Sequence, residues 1–435
     1  MNNAASRSTM NRRECLQLAA VGAAGMILRP SLLGAEEPAS KATEPLKRYF
    51  LFAQPDGSEC KNVKKKGLLF IDVDAGLAKG RWEIERVIEV PYLSNLRSGN
   101  GPGIRGVAVC AANNRCYVSA SQGGKESCRL LCVDLITGEL VYDKPVPGLG
   151  RLQVTPDGAT VFLPVDWFAG ARACAVDAET GEVKRRYPGR YEHHLAMGPS
   201  GKFIYAACAR HPDAKPAPSL HVIDTRTLEI VQEIAHGKEG PFFGGPAHIQ
   251  VDAAERYVCS YCRLKDKALQ MIEVATGKMT VLPNQTIREL WPDVAKHEEL
   301  AQPDKAGKVW ADGMPSFHGI AYRPDGKRAW LAVEGNRPDL VEFDFSVLPP
   351  KPLRVVQCGA LRPGKGWVFT SRKGDVLVGS TGKIHAGETG KLLGEVVYAD
   401  GSPIYESKPC EVHVRGGKVV FGSASCACGY PPEET

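Results

Sequence analysis

A strand–turn–strand phrase recurs along this chain and constrains its fold more than any other feature. Each copy places two apolar runs on either side of a tight polar turn, as in "LQVTPDGATVFLPV" and "IAYRPDGKRAWLAVE". Such turns between alternating apolar runs are typical of β-hairpins, because glycine adopts positive φ without strain. The other copies are "GVAVCAANNRCYVSAS", "LAMGPSGKFIYAAC", "IQVDAAERYVCSYC", "WVFTSRKGDVLVGST" and "EVHVRGGKVVFGSAS".

A second phrase alternates with the hairpins. It is an apolar strand that ends in an acidic residue and a Thr-Gly turn, as in "LCVDLITGEL" and "CAVDAETGEV". We expect the acids of these turns, such as Asp134 and Asp177, to accept hydrogen bonds from the turn backbone. The two phrases together make four-stranded units at a period of about 42 to 50 residues, which is the period of a propeller blade. The sequence therefore predicts an all-β protein, a seven-bladed β-propeller of four-stranded antiparallel blades.

The sequence predicts that strands from the two ends of the repeat array share one blade. The last hairpin, Glu411–Ser425, lacks outer strands, and the segments Leu68–Val73 and Trp82–Val90 have the pattern of outer strands. A blade shared between the N- and C-terminal strands would close the ring and leave no open sheet edge. A further strand at Tyr49–Phe52 either replaces or supplements one of these. The propeller is predicted over residues 48–425, with a tail at 426–435 and a long insertion at 283–316 that lies over one face or packs on the rim.

The first 35 residues have the layout of an export signal. Paired Arg12 and Arg13 precede a modest apolar stretch, Leu16–Leu28, and small residues follow before Glu36. This layout resembles a twin-arginine (Tat) signal, which implies export and a periplasmic or secreted protein. The main alternative is an uncleaved anchor, although the stretch is short for a membrane span. Residues 36–47 are predicted to be a linker, and no transmembrane span is expected after removal of the signal.

Charge and cysteine content exclude some classes of function. The formal charge is +6, and residues 1–35 contribute four arginines against Glu14, which leaves a weak excess on the rest. Such a weak excess of positive charge does not favour nucleic-acid binding. We also expect a monomer. The chain has 14 cysteines, which we interpret mostly as buried small hydrophobes with a few disulfides.

The repeated strand–Asp-Gly–strand phrase and the D-x-x-T-G-E/K turns resemble the YVTN (YncE-like) β-propellers. These are related to the lactonase-type and WD-like propellers. The resemblance covers about residues 48–425. It implies that the first strand of each blade lines a central channel and that ligands are held at one channel mouth. Because this architecture hosts binders, hydrolases and redox enzymes, the resemblance implies a fold more strongly than a function.

Polar residues recur where the first strand of a blade begins. In a propeller these positions meet at the channel mouth although they are far apart in sequence. The first strands supply Arg105, Arg151, His193, His194, His248, His318 and His413, and the loops between second and third strands add Arg210 and His211.

Three interpretations of this set remain open. In the first, His194, His248 and His318 bind a divalent or transition metal ion. In the second, histidines and arginines bind an acidic small molecule or lactone without metal. In the third, these residues only bind water.

Hydrolase and nucleotide-binding motifs are absent from the sequence, so no catalytic residue can be named. We expect an exported propeller that binds a small molecule, a cell-envelope polymer or a protein at the channel mouth. The alternative is a lactonase-like or metal-dependent hydrolase or oxidoreductase that uses the channel histidines.

Overall fold

A computed structural model provides the structure of this chain. It describes residues 44–54, 67–90, 103–121, 128–164, 173–187, 191–208, 219–235, 246–262, 269–282, 316–334, 340–356, 368–379, 382–402, 404 and 408–424. All of these belong to the compact unit Glu44–Thr435. Among the described residues, no helix is long and apolar enough to cross a membrane.

The described chain is almost entirely β-structure. It begins with β1 (Lys47–Gln54), β2 (Gly67–Asp72), the short helix α1 (Val73–Lys79) and β3 (Trp82–Ile88). Helix α1 lies between the two segments for which the sequence predicted outer strands, Leu68–Val73 and Trp82–Val90, so the all-β prediction is wrong at this point. The reason is local: the Asp72 side chain accepts a hydrogen bond from the Ala75 backbone N at 2.8 Å and caps the helix, and Gly80 ends it at φ 66°.

Five consecutive four-stranded antiparallel sheets follow. The first contains β4 (Gly103–Cys110), β5 (Arg115–Ser121), β6 (Cys128–Asp134) and β7 (Leu140–Pro145). The second contains β8 (Gln153–Val154), β9 (Thr160–Leu163), β10 (Cys174–Asp177) and β11 (Val183–Arg186). The third contains β12 (Tyr191–Met197), β13 (Phe203–Cys208), β14 (Ser219–Asp224) and β15 (Ile230–Ala235). The fourth contains β16 (Pro246–Val251), β17 (Tyr257–Cys262), β18 (Leu269–Glu273) and β19 (Met279–Leu282). The fifth contains β20 (Ser316–Tyr322), β21 (Arg328–Glu334), β22 (Leu340–Asp344) and β23 (Lys351–Val356).

The remaining strands join the N-terminal ones in a nine-stranded sheet. They are β24 (Val368–Thr370), β25 (Val376–Gly379), β26 (Lys383–Ala386), β27 (Leu392–Val397), β28 (Lys408–Arg415) and β29 (Lys418–Gly422). The order across this sheet is β24-β25-β26-β27-β3-β2-β1-β28-β29. Strand β27 meets β3 over only two residue pairs, Val396 with Trp82 and Val397 with Glu83, and they run parallel.

Strand β1 contains Tyr49–Phe52, the segment whose position in the shared blade the sequence left open. Strand β1 lies between β2 and β28 and pairs with both, so it occupies the position expected for the second strand of the C-terminal hairpin. Strand β29 pairs instead with the opposite edge of β28. The expectation that β28 and β29 would be the first and second strands of one blade is therefore wrong, because β1 takes the edge that β29 would have needed.

The acidic residues of the Thr-Gly turns act as predicted. The Asp134 carboxylate accepts hydrogen bonds from the backbone N of Ile136 and Thr137 at 2.8 and 2.9 Å, and Asp177 repeats the arrangement. Asp224 does the same in a turn where Leu228, at φ 62°, takes the place of the glycine. Backbone donors, with Thr227 foremost, lower the pKa of Asp224. These acids shape the turns, so they belong to the scaffold.

The cysteines whose side chains the structure describes are buried and free, as predicted for most of the cysteines. Burial raises the pKa of Cys132 and of Cys174 to about 12, so both thiols are protonated at neutral pH. A buried protonated thiol packs as a small hydrophobe and reacts slowly. Cys116 and Cys410 are likewise reduced and buried, with burial as the main cause of their raised pKa.

A buried arginine ties the N-terminal strand to two other elements. The Arg48 guanidinium is almost fully buried and contacts Asp74 of α1 at 2.6 Å and Asp375, in the turn before β25, at 2.9 Å. Burial by itself raises the pKa of the Asp375 carboxyl, but hydrogen bonds from Arg48 and Ser371 outweigh it and leave the pKa below 3.8.

We expect Asp375→Asn to lower the free energy of unfolding by about 1–3 kcal/mol at pH 7, because the buried Arg48 then has only Asp74 as a counter-ion. Asp375 has a lower pKa in the folded chain than in the unfolded one, so its contribution is complete above the unfolded pKa and is lost as pH falls through the folded value. Urea unfolding of both proteins between pH 3 and 7 should show the difference shrinking below about pH 4. The exposed control Glu139→Gln should stay within about 0.5 kcal/mol of the parent chain.

Candidate functional site

The first strands of successive sheets are neighbours in space. Strand β4 contacts β8, β8 contacts β12, β12 contacts β16, β16 contacts β20, and β20 contacts β24. Strand β28 in turn contacts β4. Residues that open these strands are therefore brought side by side, although 38 to 70 residues separate the start of one inner strand from the start of the next. We call β4, β8, β12, β16, β20, β24 and β28 the inner strands.

Four inner strands carry a register shift where they meet the second strand of the sheet. In β20, Phe317 pairs with Val333 and Gly319 with Ala332, so His318 is an extra residue. In β4, Ile104 pairs with Ala120 and Gly106 with Ser119, which leaves Arg105 extra. A β-bulge of this kind turns a side chain away from the regular alternation.

The other two shifts fall on histidines as well. In β16 the register shifts between Pro246 and Ile249, across His248. In β12 it shifts between Tyr191 and Leu195, across His193 and His194. For these histidines and His318 the structure describes the backbone. We call Arg105, His193, His194, His248 and His318 the bulge row, because every one of them sits in an irregularity near the start of an inner strand.

Arg151 lies just before β8 and beside the bulge of β4. It is 2% exposed, and Ser119 donates a hydrogen bond to the carbonyl of the preceding Gly150. A Cβ at Gly106 would lie 2.4 Å from the Gly150 oxygen and 2.8 Å from the Arg151 Cα. The backbones of β4 and of the segment before β8 therefore touch at this point, which puts Arg105 and Arg151 on adjacent chain segments.

Two buried glutamines near the row were not identified from the sequence. Gln153 and Gln250 each lie two residues after a candidate residue, Arg151 and His248. The Gln153 amide donates to the Leu195 carbonyl of the neighbouring inner strand at 3.2 Å. The repeated pattern Arg/His-x-Gln was the available signal, and the first of the two glutamines holds adjacent strands together.

His413 is not at the opening of its strand. It is the sixth of eight residues in β28, close to the Gly416–Gly417 turn. Its Nε2 lies 2.7 Å from an oxygen of the fully buried Glu411, whose other oxygen accepts a hydrogen bond from the Arg372 backbone N at 2.6 Å. The expected position was wrong because strand β28 ends at Arg415, only two residues after His413. This histidine belongs to a buried polar cluster.

The remaining candidates are Arg210 and His211 and the three predicted metal ligands. Arg210 and His211 lie outside the described residues. No group of three or more His, Cys, Asp or Glu side chains within the described ranges could hold a metal ion. The predicted ligands His194, His248 and His318 are not included in that statement, because only the backbone of these three is described.

A cavity of about 230 Å³ lies at the other end of the same inner strands. It is formed where β4, β8 and β12 end and by β29, and Cys110, Thr155, Met197 and Phe421 contribute to its wall. None of the described residues that line it carries a charge, and burial is the main cause that raises the pKa of the Cys110 thiol. The described lining of this cavity therefore differs from the bulge row, which contains Arg105 and four histidines.

The comparisons with known proteins bear on the fold alone. The chain matches no protein-family model, and no curated protein matches it. Among solved structures, it is similar to a candidate 6-phosphogluconolactonase from Bacteroides fragilis, with 11% identity and a TM-score of 0.51 over 89% of this chain and 99% of that one. It is also similar to a candidate 6-phosphogluconolactonase from Bacteroides uniformis, with 12% identity and a TM-score of 0.51 over 87% and 99% of the two chains. These likenesses agree with the series of four-stranded sheets, and the chain has a β-propeller fold.

Proposed function

We propose that the fold is a closed seven-bladed propeller in which the nine-stranded sheet comprises two blades and β29. The alternation of β1 supports this: Phe50 and Phe52 belong to the core shared with β24–β27, and Tyr49, Leu51 and Ala53 to the core shared with β4–β6. Each of the five separate sheets likewise shares a core with the next one in sequence, and the fifth shares one with β24 and β25. With β28-β1-β2-β3 as one blade and β24–β27 as another, every blade has two neighbours.

The function that we propose for this propeller is binding of a small anionic molecule at the bulge row. The observation that carries the proposal is the coincidence of Arg105, His248 and His318 with bulges on inner strands. Arginine binds carboxylate and phosphate groups through paired, charge-assisted hydrogen bonds, and imidazole adds donors that respond to pH. Bulges occur preferentially beside functional sites because they redirect a side chain out of the sheet.

Calorimetric titration with inorganic phosphate and 6-phosphogluconate at low salt tests this function. We expect saturable binding of at least one of them, weakened about tenfold or more by Arg105→Gln, since a hydrogen bond to a charged group contributes about 1.5–3 kcal/mol. Arg81→Gln is the matched control, because Arg81 is exposed and pairs with the neighbouring Glu83. Equal affinities of the two variants, or no binding of either anion, would contradict the proposal.

The alternative function is that of a lactonase-like or metal-dependent hydrolase or oxidoreductase. Its support is that His194, His248 and His318 lie on three consecutive inner strands, and neutral imidazoles suit zinc and other transition metals. Metal analysis of protein purified from the exporting compartment would then give about one ion per chain. The ion would be lost in His248→Ala and in His318→Ala, and metal-free protein with unchanged variants would exclude this alternative.

We also propose that the protein is exported by a twin-arginine signal and acts as a periplasmic or secreted monomer. Arg12 and Arg13 support the route, and the weak positive charge of the remaining chain gives no reason to expect nucleic acid as a partner. Replacing both arginines by lysine should leave the precursor in the cytoplasm. Cell fractionation and the mass of the mature chain, expected to begin near residue 36, measure this. Normal export of the double variant would contradict the route.

A further inference from the structure

The cavity at the far end of the inner strands has a wall that comes from four strands. The ends of β4, β8 and β12 contribute Cys110, Thr155 and Met197 to it. Strand β29 contributes Val420 and Phe421. Val420 is 48% exposed, so the cavity is reached from solvent beside this residue.

Strand β29 is held in place on both sides of the cavity wall. One edge pairs with β28, and on the other the Val109 backbone N of β4 donates to the Ser423 carbonyl at 2.9 Å. The Phe421 ring lies 4.8 Å from the His413 ring, between ring centres, and its centre is 4.3 Å from the Arg372 guanidinium. The aromatic part of the wall is therefore fixed before a ligand arrives, and a preformed wall lowers the entropy cost of binding.

Polar side chains of the described wall are engaged within the protein. The Cys110 thiol donates to the Thr155 carbonyl at 3.8 Å, and the Thr155 hydroxyl donates to the Asp157 carboxylate at 2.6 Å. The Gln153 amide donates to the Leu195 carbonyl at 3.2 Å. These hydrogen bonds use donors that would otherwise bind water in the cavity. A cavity whose wall offers few polar partners favours an apolar occupant over water.

The lining also indicates which kind of molecule fits. None of the described lining residues is charged, so a carboxylate or an ammonium group would lose its hydration without gaining a partner. Phe421 and the Met197 sulfur both interact favourably with aromatic rings. An apolar cavity of about 150 Å³ is enough to hold benzene. This cavity measures about 230 Å³. We propose that it binds a small uncharged aromatic molecule, which is one ring with a small substituent.

The cavity and the bulge row lie at opposite ends of the inner strands. Arg105 lies near the start of β4, and Cys110 is its last residue. Five residues of extended strand span about 16 Å, which is longer than a single substituted ring. Binding in the cavity therefore neither requires nor blocks binding of an anion at the bulge row.

Ligand-observed NMR titration of the full chain with benzyl alcohol and benzoate tests the preference for an uncharged ligand. The two molecules share a ring and are nearly equal in size. We expect saturable binding of benzyl alcohol that inorganic phosphate does not displace. Benzoate should bind at least about tenfold more weakly, because the uncharged wall does not replace the hydration of its carboxylate.

A variant that fills the cavity tests its position. Ala111→Phe adds a ring to the wall and should weaken binding of benzyl alcohol about tenfold or more, because less apolar surface is left for the ligand to bury. Ala78→Phe is the matched control, since Ala78 is exposed on α1, and it should bind like the parent chain. Melting curves identify the variants that fold. Equal affinities of the two folded variants would overturn the inference.

Xenon tests the cavity without any variant, because this gas enters apolar cavities. In crystals of the full chain under xenon pressure, we expect an anomalous peak between Met197 and Phe421. A cavity without a peak, or a chain that does not bind benzyl alcohol, would overturn the inference. Benzoate that binds more tightly than benzyl alcohol and is displaced by phosphate would also overturn it, and would support the anion site instead.

Discussion

Replacing Trp330 by alanine is expected to lower the free energy of unfolding by about 3–5 kcal/mol. The side chain is fully buried in the core between the β20–β22 part of one sheet and β24–β25 of the next. Its indole N–H donates to the Gly387 carbonyl at 3.0 Å, and the Arg354 guanidinium lies 5.4 Å from the ring centre. Alanine would leave a large cavity and an unsatisfied carbonyl between two sheets.

Chemical unfolding of the purified variants measures this effect. Leu353→Ala in strand β23 of the same sheet is the control, because Leu353 is 38% exposed and its loss should cost no more than about 0.5 kcal/mol. If Trp330→Ala also costs less than about 1 kcal/mol, the described packing between these two sheets is incorrect.

Removal of strand β1 is expected to have the largest effect of all, which is loss of cooperative folding. Deleting residues 44–54 takes out the buried Arg48 and five buried apolar residues, Tyr49–Ala53, and exposes the edges of both β2 and β28. It also removes Phe50, whose ring lies 6.5 Å from Trp82 and 6.4 Å from Phe369 between ring centres. Unpaired strand edges are templates for aggregation, so the deleted chain should be largely insoluble.

A chain that begins at Glu44 is the control for this deletion and should melt at the same temperature as one that begins at residue 36. A synthetic peptide of residues 44–54 added during refolding should restore soluble protein with a sharp melting transition, because it can fill the gap between β2 and β28. A soluble, cooperatively melting deletion variant would show that β1 is not required to complete the sheet.

Much of the fold could be predicted because its turns require particular residues. Gly326 and Gly374 turn at φ 63° and 70°, a conformation that favours glycine, and the turn acids need two backbone donors within three residues. Such requirements appear directly in the sequence. They also recur, so several weak signals support one another.

The pairing of the chain ends could not be predicted in the same way. Strands β1 and β29 are both largely apolar, and their sequences are compatible with either edge of β28. Their positions depend on which hydrophobic core still lacks side chains. Phe50 and Phe52 of β1 complete the core shared with β24–β27. Strand β29 cannot complete it, since Val420 in its centre is exposed. That is a property of the assembled sheets and has no local signature.

For the site, the sequence identified which residues open the inner strands but not the bulges that contain them. A bulge adds one residue to one strand, and an apolar alternation that shifts by one residue looks like an ordinary imperfection. His413 was misplaced because its sequence pattern differs from that of the bulge-row residues only in its distance to the following turn, Gly416–Gly417. Counting the residues between each candidate and the turn that follows it was the one signal that could have distinguished His413 from the bulge row.

A crystal structure of the protein soaked in sodium tungstate tests the central claim most directly, because tungstate is a tetrahedral oxyanion with a strong anomalous signal. The claim is that the bulge row forms one anion site. It predicts that the strongest anomalous peak lies within hydrogen-bonding distance of Arg105 and of at least one of the bulge histidines. Bulge side chains that point away from one another, with no peak among them, would contradict it.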